Sequence, residues 1–266
     1  MKMILKTLSL VALLLPVVTF AEKSAEALAK AAQNPIANMI SLPLQNNTNL
    51  NIGPNDETQN ILNVQPVWPF ELNEDWNVIT RTIIPVTSQP DIFTPANDGR
   101  INGIGDVSFS AFISPKVSDI TWGVGPIFLL PTASNDALGS DKWAAGISAV
   151  ALAMPGKWVV GGLISNIWSF AGSGTADINL FTLQPFINYN FEGGWYATTA
   201  PIITANWEAD TDHRWTVPLG GGVGKIFKIG QQPINAQLSL YNNVVTPDDF
   251  GAQWQVRAQI QFLFPK

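Results

Sequence analysis

The stretch Gln253-Trp-Gln-Val-Arg-Ala-Gln-Ile-Gln-Phe-Leu-Phe264 alternates polar and apolar residues. From Gln253 to Gln261, the odd-numbered positions hold four glutamines and one arginine, whereas the even-numbered positions are all apolar. Neighbouring side chains of a β-strand point to opposite faces, whereas in a helix these apolar residues would point all round. The stretch therefore predicts a strand with one polar and one apolar face.

The same alternation recurs upstream and predicts twelve strands in all. They span residues 39–52, 59–69, 76–87, 105–114, 120–132, 143–154, 158–170, 178–191, 195–207, 215–228, 234–245 and 253–264. An even strand number, with short turns at one rim and longer loops at the other, is typical of outer-membrane barrels. The sequence therefore predicts an all-β fold, a transmembrane antiparallel barrel over residues 39–266, with both termini on the short-turn, periplasmic side.

The composition agrees with a membrane barrel. Of the 266 residues, 46% are hydrophobic and only 13% are charged, which is too few charges for an ordinary soluble domain. Beyond residue 21 the chain has no apolar run of about 18 residues, so a membrane-spanning helix is excluded. A tilted strand of about 10 residues crosses a bilayer and shows only the alternation.

The tryptophans test the barrel independently, because outer-membrane barrels carry an aromatic girdle at each interface. Trp158 and Trp168 share a face ten residues apart, close to the roughly 25 Å height of a lipid-facing band. Five tryptophans fall at the short-turn ends of strands and five at the long-loop ends: Trp68, Trp76, Trp122, Trp158 and Trp195, then Trp143, Trp168, Trp207, Trp215 and Trp254.

Residues 1–21 read as a secretory signal peptide. Lys2 and Lys6 form a positive start, an apolar run follows, and Thr19-Phe20-Ala21 is a small-x-small cleavage site. Residues 22–38 lack the alternation and form a separate N-terminal segment, in which a short helix over 22–33 is stopped by Asn34-Pro35. This segment is expected either in the periplasm or in the barrel mouth as a plug.

Seven prolines fall inside the predicted strands. Because proline donates no hydrogen bond to a ladder and a closed barrel has no free edge, some strands are expected to be bulged. The prolines are Pro43, Pro66, Pro85, Pro126, Pro185, Pro201 and Pro218.

Charge and composition exclude several functions. The net charge of −6 and the lack of a basic cluster argue against a nucleic-acid partner. With no cysteine and one histidine, a resident metal or other cofactor is not expected. His213, close to Asp210 and Asp212 in an outer loop, is the one candidate general base, and a lipid-modifying barrel enzyme is therefore an alternative to a solvated polar loop. We expect no enzyme and no catalytic residues.

Several short segments share a pattern of glycines beside tryptophan or other apolar residues. They are Asn51-Ile-Gly-Pro-Asn-Asp56, Gly105-Asp-Val-Ser-Phe109, Trp122-Gly-Val-Gly-Pro126, Trp158-Val-Val-Gly-Gly162, Trp168-Ser-Phe-Ala-Gly172 and Trp215-Thr-Val-Pro-Leu-Gly-Gly-Gly-Val-Gly224. With these segments the chain resembles the outer-membrane transporters linked to the meta-pathway of phenol degradation, which often carry the label neuromedin U. The resemblance implies a barrel that takes up small, often aromatic or hydrophobic, compounds, and it transfers no site residues.

The inward faces suggest what could pass through the barrel. Amides and other polar side chains dominate one sector, on strands 1, 11 and 12: Gln45, Asn47, Asn49, Asn51, Asn235, Gln237, Ser239, Tyr241, Asn243, Gln255, Arg257, Gln259 and Gln261. Small and apolar residues form the opposite sector: Gly123, Gly125, Ile127, Gly161, Leu163 and Ile167. A lumen with these two walls suits a small amphipathic solute. Alternatively, the same residues merely pack the interior of a non-conducting structural barrel.

Arg81 and Arg257 lie at mid-strand. An arginine facing lipid near the midplane costs about 2–4 kcal/mol, so both are expected to face the lumen. There they could attract an anionic group such as a solute carboxylate, or serve as structural arginines bound to carbonyls and amides.

The predicted outer loops are rich in acids. Such a rim facing lipopolysaccharide could share Ca²⁺ or Mg²⁺ with it, or its acids could simply keep the loops soluble. The acids are Asp56, Glu57, Asp91, Asp98, Asp136, Asp141, Asp177, Glu208, Asp210, Asp212, Asp248 and Asp249. The expected location is the outer membrane of a Gram-negative cell, with outer-membrane lipid, lipopolysaccharide, the barrel-insertion machinery and a small solute as partners.

Overall fold

The computed structural model describes residues 26–53, 55–91, 99–248 and 251–265. The signal peptide predicted for residues 1–21 lies outside them. The described part holds fifteen strands: β1 Ile40–Ile52, β2 Glu57–Val64, β3 Val67–Glu71, β4 Trp76–Pro90, β5 Arg100–Ile104, β6 Val107–Pro115, β7 Thr121–Leu130, β8 Lys142–Ala153, β9 Trp158–Gly172, β10 Asn179–Asn190, β11 Trp195–Thr199, β12 Ile203–Asn206, β13 Trp215–Ile229, β14 Gln232–Val245 and β15 Trp254–Phe264.

These strands form one closed antiparallel barrel. The last strand, β15, pairs with β1 from Ile40 opposite Phe264 to Leu50 opposite Trp254. Three pairs of short strands, β2 with β3, β5 with β6 and β11 with β12, each occupy a single position in the wall. The barrel therefore has twelve positions, as the alternation predicts.

Proline lies at several of the interruptions in the wall. Pro66 separates β2 from β3, and Pro201 lies between β11 and β12. Pro218 lies at the register shift between β13 and β14. These three confirm the expected irregularities. The other four prolines lie within paired strands, among them Pro43 opposite Gln261.

The outward face carries the aromatic girdles. Trp158 and Trp168 are 45% and 50% exposed at opposite ends of β9. Edge-to-face pairs join Trp76 to Trp122 at 5.9 Å at the short-turn end, and Trp207 to Trp215 at 5.5 Å at the long-loop end. Both predicted belts are present.

The N-terminal segment enters the short-turn end of the barrel. Residues 26–32 are helical and the helix ends before Asn34, as expected. Ala29, 1% exposed, packs with Tyr196 and Leu263, whereas Ile36, 3% exposed, packs with Phe112 and other residues of the opposite wall. Residues 26–39 therefore contact side chains that face the barrel interior. Within the described ranges, no helix is long and apolar enough to cross a membrane.

Candidate functional site in the barrel lumen

One side of the lumen is lined by amides from β1, β14 and β15. Alternation turns every second side chain of these strands inward, and Asn235 and Asn47 are among the buried ones. We call this surface the amide wall: Gln45, Asn47, Asn49, Asn235, Gln237, Gln255, Gln259 and Gln261. Asn51 does not extend it, because β1 bulges between Asn49 and Ile52, and Ile52 is the buried residue there.

The opposite side is apolar. It includes Leu163, which the sequence places there, but most of its bulk comes from other strands. We call this surface the apolar wall: Val67, Ile79, Phe112, Val150, Leu152, Val159, Leu163 and Phe186. Ile36 of the N-terminal segment packs on it, and a Cβ atom added at Gly123 would lie 3.1 Å from the Ile36 Cδ1 atom. Gly123 therefore provides room for Ile36.

The lumen contains two chambers. The inner chamber, towards the short-turn end, has a volume of about 140 Å³, and its lining residues include Gln33, Arg81, Leu163, Phe186 and Gln259. The outer chamber has a volume of about 460 Å³, and its lining residues include Asn49, Gln89, Ala137 and Gln255. Along β1, β14 and β15, the inward residues between the two chambers are Asn47, Ser239, Tyr241 and Arg257.

Arg257 forms the centre of this dividing layer and is 2% exposed. It donates from Nε to Asn47 Oδ1 at 3.0 Å, from Nη1 to the Ala200 carbonyl at 2.8 Å, and from Nη2 to Gln255 Oε1 at 2.9 Å. Its Cζ atom lies 4.8 Å from the ring centre of Tyr241. All three acceptors are neutral, which is the arrangement that the structural alternative for Arg257 predicts.

A chain of hydrogen-bonded amides extends from Arg257 around the outer chamber. Gln255 donates to Asn49 at 2.9 Å, and Asn49 donates to Gln59 at 2.9 Å. Gln59 donates to Gln89 at 2.9 Å, and Gln89 donates to the Ala137 carbonyl at 2.8 Å. We call these four side chains the amide chain.

The direction of the amide chain is determined at both ends. The guanidinium of Arg257 can only donate and the carbonyl of Ala137 can only accept. Every amide between them must therefore present its oxygen towards Arg257 and its NH₂ group towards Ala137. The chain links the dividing layer to the short 3₁₀ helix Asp136–Leu138 in the β7–β8 loop. Gln59 and Gln89 were not predicted, because their contribution depends on strand register.

Arg81 has a different environment. It lines the inner chamber, and Nη2 donates to Oε1 of Gln65, a buried residue at the break before β3. Among the described residues that line this chamber, Arg81 is the only charged one. The lining thus places one cation among neutral amides and hydrocarbon.

Tyr196 also lines the inner chamber, and the sequence pattern did not predict it. Its ring lies over Gly224, where an added Cβ atom would be 2.1 Å from Cζ. Its hydroxyl donates to Asn235 Oδ1 at 2.7 Å, across β13. The glycines of β13 could have suggested that a bulky neighbour crosses that strand.

The candidate enzyme residues lie away from both chambers. Asp210, Asp212 and His213 are all exposed, and His213 ends the 3₁₀ helix Thr211–His213 in the β12–β13 loop. None of them lines a chamber. This is the arrangement of a solvated polar loop.

The acids of the outer rim are dispersed. Asp98 and Asp249 lie outside the described residues, and within the described ranges no three acidic or histidine side chains gather as a group that could hold a metal ion. Lys142 contacts Asp177 at 3.1 Å, and this hydrogen bond and charge lower the pKa of the Asp177 carboxyl.

No family model matches the chain, and no curated protein does. Its fold is similar to that of the COG4313 outer membrane channel from Pseudomonas putida F1, with a TM-score of 0.67 and 14% sequence identity over 87% of this chain and 97% of that chain. A Pseudomonas aeruginosa FadL homologue gives a TM-score of 0.45 and 12% identity over 91% and 93%. The CymD monoaromatic hydrocarbon channel gives 0.45 and 10% over 91% and 92%. The first likeness shows that the chain has the fold of an outer-membrane β-barrel.

Proposed function

We propose that this protein is an outer-membrane barrel in which small amphipathic or hydrophobic compounds, aromatic ones included, bind and pass. The observation that carries the proposal is the pair of chambers inside a closed barrel, each with both polar and apolar lining. Small-molecule sites combine hydrocarbon walls with a few placed polar groups. The similarity in fold to a protein described as an outer membrane channel supports the same function.

The location and processing belong to the same proposal. Residues 1–21 direct export, the girdles hold the barrel in the outer membrane, and the insertion machinery reads the last strand, with Phe264 near its end. The exposed girdle tryptophans suit contact with outer-membrane lipid and lipopolysaccharide.

The N-terminal segment is proposed as the inner gate. Ile36 packs on the apolar wall, and the side chains of Gln33 and Asn190 exchange hydrogen bonds of 2.9 and 3.2 Å. The side chain of Ile36 is held on this wall by apolar contacts, so a solute with an apolar part can compete for its place. Solute binding and opening of the short-turn end are then one event.

A non-conducting structural barrel is the second candidate, because the N-terminal segment and the Arg257 layer both lie across the lumen. Uptake separates the two candidates. Cells of the native Gram-negative host lacking the gene should take up radiolabelled small aromatic compounds several-fold more slowly than cells carrying it. If the two strains take up every compound of a panel of neutral and acidic aromatics at the same rate, the structural barrel is favoured.

Conductance in planar bilayers distinguishes the transporting barrel from the structural barrel by an independent measurement. The protein lacking residues 22–38 should conduct several-fold more than the full mature chain, because removing the segment opens the inner chamber. Heat-modifiable migration on a gel verifies that the shortened barrel is closed. If neither form conducts, the Arg257 layer itself seals the lumen and the structural candidate is preferred.

A further inference from the structure

We propose that the inner chamber is a binding site for a small amphipathic carboxylate, with the carboxylate on Arg81 and the hydrocarbon part on the apolar wall. This inference rests on the proposed function and names the class of solute. It concerns the inner chamber beside the N-terminal segment, whose volume of about 140 Å³ is close to that of an engineered apolar cavity of about 150 Å³ that binds benzene.

The first step is the charge of the chamber. Arg81 is its only charged lining residue among those described, and its observed acceptor is the neutral amide of Gln65. The three ion pairs seen among the described residues, Lys30 with Glu26, Lys116 with Glu71 and Lys142 with Asp177, all lie elsewhere. A cation enclosed without an anion is a strong attractor for one.

The second step is the contrast with Arg257. Arg257 has an acceptor on each of its three nitrogens and does not line either chamber. Arg81 faces open space and uses one of its five N–H groups on Gln65. A planar guanidinium with free N–H groups matches a carboxylate in geometry as well as in charge.

The third step is the hydrocarbon that shares the chamber. Val67, Leu163 and Phe186 line the same space as Arg81. A simple inorganic anion would leave this surface unused, and a neutral hydrocarbon would leave the charge unused. A compound with an apolar ring or short chain and one carboxylate uses both.

Binding of benzoate and benzamide to the purified full-length mature protein tests the site. The two probes have nearly the same shape, and only benzoate carries the charge. We expect the wild type to bind benzoate at least tenfold more tightly than benzamide by calorimetry, and an excess of inorganic phosphate to leave this preference in place.

Two substitutions of Arg81 and one matched control complete the design. Arg81→Gln should reduce the ratio of benzoate affinity to benzamide affinity to about one. Arg81→Lys should retain part of the preference for benzoate because the charge remains. Arg100→Gln removes the same charge at the exposed outer rim and should leave the preference unchanged. Heat-modifiable migration on a gel verifies folding. If Arg81→Gln does not fold, the preference of Arg81→Lys for benzoate is compared with that of the wild type, and an unreduced preference counts against the site.

The inference is overturned if the wild type shows no preference for benzoate, if folded Arg81→Gln keeps it, or if phosphate displaces benzoate as well as benzoate itself does. Uptake by cells separates this failure from failure of the proposed function. Entry of benzamide through the wild-type barrel, without a preference for benzoate, would remove the carboxylate site and keep the transport function. Entry of neither compound would remove both.

Discussion

The two walls of the lumen are held in place by different forces. The amide wall is bound by hydrogen bonds whose direction is determined by Arg257, whereas the apolar wall is bound by contacts that have no direction, including those of Ile36. A hydrogen-bonded network tolerates few alternative arrangements, but apolar side chains accept any hydrocarbon of suitable size. The comparison indicates that the amide wall sets the shape of the lumen and that the apolar wall adapts to its occupant.

The largest effect is expected at the centre of the dividing layer. Arg257→Met keeps most of the side-chain volume but removes the donor to the Ala200 carbonyl and to Gln255 Oε1 and one of the two donors to the buried Asn47 Oδ1. The free energy of unfolding should fall by about 3–5 kcal/mol. The measurement is the urea midpoint of heat-modifiable migration, with Arg100→Met as the exposed control. A loss as small as that of the control would mean that packing, and not hydrogen bonding, holds the amide wall.

A somewhat smaller effect is expected for the contact between the N-terminal segment and the apolar wall. Ile36→Ala should weaken docking of the segment by about 2–4 kcal/mol because it removes buried hydrocarbon. The segment should then be cleaved faster by protease, and the conductance should rise, without a change in barrel stability. Glu26→Ala, at an exposed position of the helix, is the control, and equal cleavage of both variants would contradict the docking role of Ile36.

Interruption of the amide chain should have a more local consequence. Gln59→Leu deprives Asn49 of its acceptor and Gln89 of its donor, with an expected loss of about 1–2 kcal/mol. Hydrogen exchange around residues 135–140 should become faster, because the chain ends on Ala137. Asn46→Leu changes an amide on the outward face of β1, outside the chain. Faster exchange of residues 135–140 in this variant as well would argue against transmission along the chain.

The smallest effect concerns pH and the outer rim. The hydrogen bond from Lys142 holds the pKa of Asp177 below its usual value, so the contact stabilises the β9–β10 loop above the usual aspartate pKa of about 3.9. This contribution is lost as the pH falls through the lowered pKa of the folded state. In Lys142→Gln the pKa of Asp177 should rise towards the usual value in a carboxyl NMR titration, and an unchanged pKa would contradict the assignment.

Alternation of polar and apolar residues was sufficient to predict the fold. Because neighbouring side chains of a strand face opposite ways, the pattern in Gln253–Phe264 determines which side of β15 meets the lumen, and the same logic locates the tryptophan girdles. The prolines at 66, 201 and 218 marked real interruptions. Fold class therefore follows from local pattern alone.

Most of the candidate site depends on register, which one sequence does not determine. Gln59 and Gln89 become part of the amide chain only because β2 and β4 place them beside Asn49 and each other. The bulge at Asn51 and the crossing of Tyr196 over Gly224 likewise arise from how strands pair. The Ala-rich segment 22–38 has no pattern that distinguishes a position inside the barrel from one outside it.

The position of Ala29 has a consequence for the order of assembly. Its packing partners are Tyr196, Ile226 and Leu263, the last of which belongs to the final strand. Because Leu263 lies on β15, the docking surface of Ala29 is complete only once β15 has joined β1. We therefore expect the N-terminal helix to dock fully only after the barrel has closed, so that a newly inserted barrel passes through an interval in which its inner end is open.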